Sequence, residues 1–260
     1  MDYRVSARTQ ARAIEKAADT LGVPLPAGYL EQVAQAQAFA DAAAHINGHD
    51  LHAAVFDAIE AGRPYWSDKT VQRLALDHQL ASHNIGIKVR TRADELRARA
   101  LADHADNILE GWADALDQQA DALVAAAAAV PNIDLRQGHE AATHGGDVLR
   151  HWAAARTGLD AWNAAHQGFY ALAAVAGISV KNTGHLALTP ARKAELEPAD
   201  DLARDARTEV DAWIIARCGL PLELATLGEF MSRAAQFNAD REAEDRAAEQ
   251  QRMERVQKTW

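Results

Sequence analysis

The stretch RADELRARALADHADNILEGWADALDQQADALVAAAAAV, residues 92–130, decides the fold. It holds no Pro and one Gly, and it ends at Val130-Pro131. Counting from Leu101 in alternating steps of four and three gives Leu101, Ala105, Ile108, Trp112, Ala115, Gln119, Ala122, Ala126 and Ala129. Only Gln119 is polar. Leu109, Leu116, Leu123 and Val130 flank this row at every seventh position. Such a pattern is a wide apolar helix face with a coiled-coil period. At 1.5 Å per residue the uninterrupted run spans about 60 Å.

A second periodic run returns over residues 147–177. Its seam reads Val148, Trp152, Ala155, Leu159, Trp162, His166, Phe169, Ala173 and Ala176, with His166 as the one polar member. Small residues let two backbones approach, and Trp and Phe from one side fill against Ala on the other. The two runs predict a long antiparallel helical hairpin. Gly138 and Gly145-Gly146 leave the start of the return arm open: one continuous helix, or a short helix at the tip and a new start at Asp147.

The rest of the 260-residue chain fits that class. Nearly half of it is apolar, much of that Ala, and aromatic residues make up only 6%, which marks long helices with a thin core. A formal charge of −10 argues against direct nucleic-acid binding, which goes with a basic excess. The lone Cys218 cannot form an internal disulfide and fits a reducing compartment, or a plain core position. The start of the sequence lacks a signal-peptide core, and no apolar run reaches membrane-spanning length, so neither secretion nor membrane insertion is expected.

Punctuation by Gly and Pro divides the chain into four parts. Residues 1–84 read as a compact set of four short helices, the third capped by Asp50 and the fourth by Ser67-Asp68, with Val71, Leu74, Leu76 and Leu80 inward. Residues 85–177 are the long hairpin, entered through a joint at 84–88 that reads as a turn or a short strand. Residues 178–238 hold a small β-hairpin (178–181 and 185–188 around Asn182-Thr183-Gly184) and C-terminal helices. Pro198 is expected to break the first of these, and Pro221 to open the last. Residues 239–260 are a charged helical tail. The fold class is therefore all-α: a long antiparallel helical hairpin with flanking short helices and one small β-hairpin.

No catalytic motif stands out. His45, His49, Asp50 and His52 lie close in sequence, but a helix end falls between them and no Cys joins them. His139-Glu140-Ala141-Ala142-Thr143-His144 is one residue longer than the zinc-protease motif, and its i,i+5 spacing turns the histidines apart. Solvent-facing and capping roles suffice for these residues, so no metal and no cofactor is expected. His166 falls opposite Asp103 and His104 if the hairpin folds near residue 135. The simpler reading is a seam histidine held by a carboxylate, because a thin hairpin supplies no cleft. No Ser or Cys nucleophile and no Gly-rich phosphate loop is present.

The charge pattern is sharper. Asp103, Asp106, Glu110, Asp114, Asp117 and Asp121 step by three or four, and no Lys or Arg occurs between Asp103 and Val130. The plain reading is a solvated face; the functional one is a dock for a basic partner. Lys88, Arg90, Arg92, Arg97 and Arg99 form a basic collar before it. In the tail, Glu242–Arg246 and Glu254–Lys258 stand in the favourable i,i+4 order. Met253, Val256 and Trp260 share a face, either docking back or anchoring a partner.

Asp103-His104-Ala105-Asp106-Asn107-Ile108-Leu109, Trp112-Ala113-Asp114-Ala115-Leu116 and the stretch from Ala216 to Thr226 resemble uncharacterised helical proteins of actinobacterial phages and prophages. Such proteins are typically encoded with capsid genes. The resemblance covers most of the chain from about residue 45 and transfers no catalytic residue. It implies a non-enzymatic structural or assembly protein, a capsid scaffold or head component. It would work in the bacterial host cytoplasm or the virion, with capsid and virion proteins, or further copies of itself in a homo-oligomer, as partners. The alternatives are an acidic decoy or adaptor that binds a basic or DNA-binding protein through the Asp103–Asp121 ridge, and a helical-bundle metalloenzyme, for which the ligand spacing is poor.

Overall fold

The computed structural model describes residues 7–44, 46, 50–135 and 138–257, with backbone only at 140, 256 and 257. Among them the chain is all-α, with no strand. The helices are α1 (Ala7–Leu21), α2 (Ala27–Asp41), α3 (Leu51–Glu60), α4 (Lys69–Ser82), α5 (Ile85–Asp103), α6 (Ala105–Ala129), α7 (Gly138–Thr143), α8 (Gly146–Val175), α9 (Lys193–Ala206), α10 (Ala212–Arg217) and α11 (Leu227–Gln257). Two 3₁₀ turns sit at Tyr65–Ser67 and Gly184–Ala187. The chain forms two compact units, one of residues 7–8 and 27–102, the other of 9–26 and 103–257.

In the first unit α3, the Tyr65–Ser67 turn and α4 pack on one another. The Asp68 carboxylate accepts from the Thr70 and Val71 amides at 2.9 and 3.3 Å and starts α4. Asp50 occupies the corresponding position before α3 but makes no side-chain cap bond. Of the residues expected inward on α4, Val71 is buried while Leu76 is 55% exposed. The expected basic collar is largely spoken for. Arg97 is buried and bonds Asp94 at 2.7 Å and Gln37, and Arg92 pairs with Glu95. The joint at 84–88 holds no strand: a turn at 83–84, with Asn84 in the left-handed region, leads directly into α5.

The second unit is built on α6 and α8. Leu109, Leu116 and Leu123, the heptad leucines of the sequence, are all buried, with Ile108 and Trp112 beside them. The two helices run antiparallel. A Cβ placed on Gly158 would lie 3.0 Å from the Gln119 carbonyl oxygen, and one on Gly168 would lie 2.4 Å from the Trp112 ring and 3.0 Å from the Ala17 methyl of α1. Backbone approach at Gly158 and a tryptophan seated over Gly168 are what the missing side chains allow. At the far end Trp152 donates its indole N–H to the Asp134 carbonyl, and its ring lies where a Gly138 Cβ would be.

Several sequence expectations are corrected. The run from 92 to 130 is two helices, broken at His104, with the Ile108 amide bonded to the His104 carbonyl as α6 begins. The small β-hairpin of 178–188 does not exist. Gly177 and Asn182 take positive φ, the Thr183 amide bonds back to Val180, and residues 184–187 form a 3₁₀ turn. Leu186, Ala187, Leu188 and Thr189 are buried one after another, which an alternating two-faced strand cannot achieve. The backbone at 187–188 bonds instead to 223–225. Pro198 lies inside α9 rather than ending it; the carbonyl that loses its partner is that of exposed Ala194. The stretch from Leu202 to Cys218 is not one helix: Arg207 takes the left-handed region, and Asp211 caps α10 through the Ile214 amide. The last helix starts at Leu227, not Pro221. Thr226 and Glu229 bond reciprocally as a capping box, and these bonds hold the Glu229 carboxyl below the usual range.

The Trp112–Gly168 contact yields the first prediction. Trp112→Ala and Trp162→Ala should each cost about 3–5 kcal/mol by chemical denaturation, as large aromatic truncations in cores do. Gly168→Ala should also destabilise, because the indole has nowhere to go. Thermal melts of all three within about one degree of wild type would mean that these residues are not at the seam.

Candidate functional site

His166 is on the face of α8 that leaves the α6 seam and meets the turn at 180–185. Its Nε2 lies 3.0 Å from the Gly184 carbonyl oxygen. A carbonyl only accepts, so Nε2 carries the proton and a neutral ring keeps a lone pair on Nδ1. Tyr170, one helical turn on, packs its ring 4.6 Å from the imidazole. The Tyr170 hydroxyl occupies the space a side chain at 184 would need: an added Cβ would sit 2.0 Å from it. Gly184 therefore lets the phenol and the turn coexist.

These residues form one wall of a cleft of about 470 Å³. His185 continues that wall, and Asp200, Arg204 and Glu209, from α9 and the connection to α10, form the other. Burial pushes the His166 imidazole below its ordinary value of 6.5, against a smaller opposing pull from the Gly184 carbonyl and the Glu209 carboxylate. Burial likewise lowers His185, opposed by Asp200. Burial, then the Glu209 charge, raises the Tyr170 phenol. The His185 ring also packs edge-on against Phe237 of α11 at 5.7 Å, and its Nε2 is buried without a hydrogen-bond partner.

Sequence reasoning placed His166 against Asp103 and His104 and expected no cleft. The structure instead gives it Gly184, Tyr170, His185 and Glu209 as neighbours. Nothing local in the sequence brings 166, 185, 200 and 209 together; the unmade β-hairpin does so. His45 and His49 lie outside the described residues. Among the described residues, no group of three His, Cys, Asp or Glu is placed to hold a metal ion.

The six acidic residues from Asp103 to Asp121 are all exposed. Asp106 also has an internal task, accepting from the Leu227 amide at 2.8 Å at the start of α11. In the tail Met253 is exposed, the Val256 side chain and Trp260 lie outside the described residues, and so does Lys258. Arg246 donates to the Glu242 backbone carbonyl at 3.1 Å, rather than to its carboxylate. Every side chain from Arg241 to Arg255 is exposed.

Sequence reasoning missed one further surface. On α3, the Tyr65–Ser67 turn and α4, the large apolar side chains Phe56 (63%), Ile59 (55%), Trp66 (69%) and Leu76 (55%) are more than half exposed. Pro64-Tyr65-Trp66, aromatic residues in a tight turn between two short helices, was the available signal. No helix among the described residues is long and apolar enough to cross a membrane. No protein-family model, curated protein or solved structure matches the chain.

The two buried imidazoles make stability pH-dependent in a defined sense. Both titrate lower in the folded chain than their ordinary 6.5, so below that pH the unfolded chain binds more protons. Their contribution is complete above about pH 6.5 and is lost as pH falls through the lowered folded values. The melting temperature should therefore drop on acidification from pH 7 to 5, and His166→Asn with His185→Gln should flatten that drop. Equal slopes for wild type and double variant would assign the acid sensitivity to other groups.

Proposed function

We propose that this chain is a non-enzymatic structural or assembly protein, of the phage capsid-associated kind that the sequence resemblance implies. It works through helical surfaces on a second copy of itself or on a capsid or virion protein, in the bacterial host cytoplasm or in the virion. The observation that carries the reading is the exposure of Phe56, Ile59, Trp66 and Leu76 on three mutually packed elements. Large apolar side chains grouped at a surface mark a contact with another molecule. Aromatic residues in particular anchor protein interfaces. In this reading the α6–α8 pair is the long antiparallel hairpin that acts as scaffold, and the solvated half of α11 is a second contact element. A helix of that length is marginal in water without a partner, and its few-tenths charge pairs do little to hold it.

The alternative, an acidic decoy or adaptor for a basic or DNA-binding protein, is favoured by the exposure of Glu110, Asp114, Asp117 and Asp121 on one stripe of α6. Salt separates the two readings, since an apolar contact survives ionic strength that screens an acidic dock.

Phe56→Glu with Trp66→Glu should leave helicity and melting temperature close to wild type, because both side chains are exposed. It should abolish self-association in light scattering, or co-purification with capsid protein from infected cells. Unchanged assembly in the double variant would remove the α3–α4 surface as the contact. Deleting residues 250–260 should keep the melting temperature and weaken assembly; a large stability loss with assembly intact would show the tail docking back. Reversing Glu110, Asp114, Asp117 and Asp121 to Lys should spare helicity, and loss of partner capture in that variant alone would favour the acidic reading.

A further inference from the structure

We propose that the cleft between α8, the 180–185 turn and the α9–α10 connection binds a small organic cation carrying a guanidinium or primary amino group. The charges in the cleft point one way. Asp200 and Glu209 contribute two carboxylates, and the one guanidinium, Arg204, is already bonded to Asp201 at 2.6 Å. An anion would meet two carboxylates and a single guanidinium that already has an acidic partner. Among the lining groups that hydrogen-bond, the two carboxylates and His166 point the same way, beside the Asn182 amide and the Tyr170 and Thr208 hydroxyls, which both donate and accept. With Nε2 committed to the Gly184 carbonyl, His166 has only a lone pair left on Nδ1. Carboxylates and a neutral imidazole are acceptors, and ammonium and guanidinium groups carry only donors. The Tyr170 ring adds an aromatic surface of the kind that attracts organic cations.

Size and coordination favour a small organic ligand over a bare metal ion. The cleft, about 470 Å³, is in the range of small-molecule pockets. No metal-holding group of three is present among the described residues. The inference is independent of the assembly surfaces on α3, α4 and α11, and it holds whether or not those surfaces bind.

The test is titration calorimetry of the full chain with agmatine, which carries a guanidinium and an amine on four carbons. The controls are 1,4-butanediol, of similar length but neutral, and zinc ion alone. Agmatine should bind saturably at one site per chain, butanediol should not bind, and Asp200→Asn with Glu209→Gln should weaken agmatine at least tenfold. In wild type, agmatine should also shift the His166 and His185 ring resonances by NMR, a readout that does not depend on how the double variant folds. No saturable heat and no ring shifts would overturn the proposal. So would equal affinity in the double variant, equal binding of butanediol, or stoichiometric zinc binding that shifts the same two rings.

Discussion

The second unit depends on how closely α6 and α8 approach. Gly158 faces the Gln119 backbone at a separation tighter than most side chains show, and Gly168 faces the Trp112 ring closer than a Cβ could come without a shift. Between those points the buried residues are Leu116 of α6 and Leu159, Ala161, Trp162 and Ala165 of α8. α1 completes the arrangement, with Ala17 against the same Trp112–Gly168 contact and Ile14 fully buried. An Ala-rich chain has little apolar volume per residue, so its core is adequate only if the backbones are this near. The glycines are therefore structural requirements within a helix that would otherwise favour Ala by about 1 kcal/mol per position.

What could be read from the sequence was what is local and periodic. The heptad leucines of α6 and the aromatic row of α8 declared themselves because burial of a helix face imposes its own spacing. Breaks were harder. His104 interrupts a run that contains no Pro and only one Gly, so nothing in its composition announces the end of α5. Pro198, a strong local signal, was overridden because its lost bond falls on an exposed carbonyl. The 178–188 segment has strand composition, but its apolar residues are buried consecutively and its backbone bonds to 223–225. Arg97 looked like part of a basic surface, and Leu76 like core; Arg97 is buried with Asp94 and Gln37 as partners, and Leu76 is more than half exposed.

The cleft shows the same limit more sharply. His166 was visible as the polar interruption of an apolar seam. Its partners were not visible, because 184, 185, 200 and 209 reach it only through a turn that the sequence presents as a hairpin. The loop that failed to become a strand is the element that closes the site. The His185 ring lines this cleft and also touches Phe237, so one side chain borders both the cleft and the base of α11.

α11 is held to its unit in two different ways. Phe230 is buried and Phe237 rests on His185. Further along, Arg192 pairs with Asp240 at 3.4 Å and Lys193 with Glu244, largely at the surface. Apolar contacts are indifferent to salt, whereas exposed ion pairs weaken over a Debye length of about 8 Å at physiological ionic strength. The freely solvated length of the helix is thus a function of the medium. In dilute buffer it begins after Glu244; in concentrated salt it begins nearer Phe237, and the reach of its far end grows by about 10 Å.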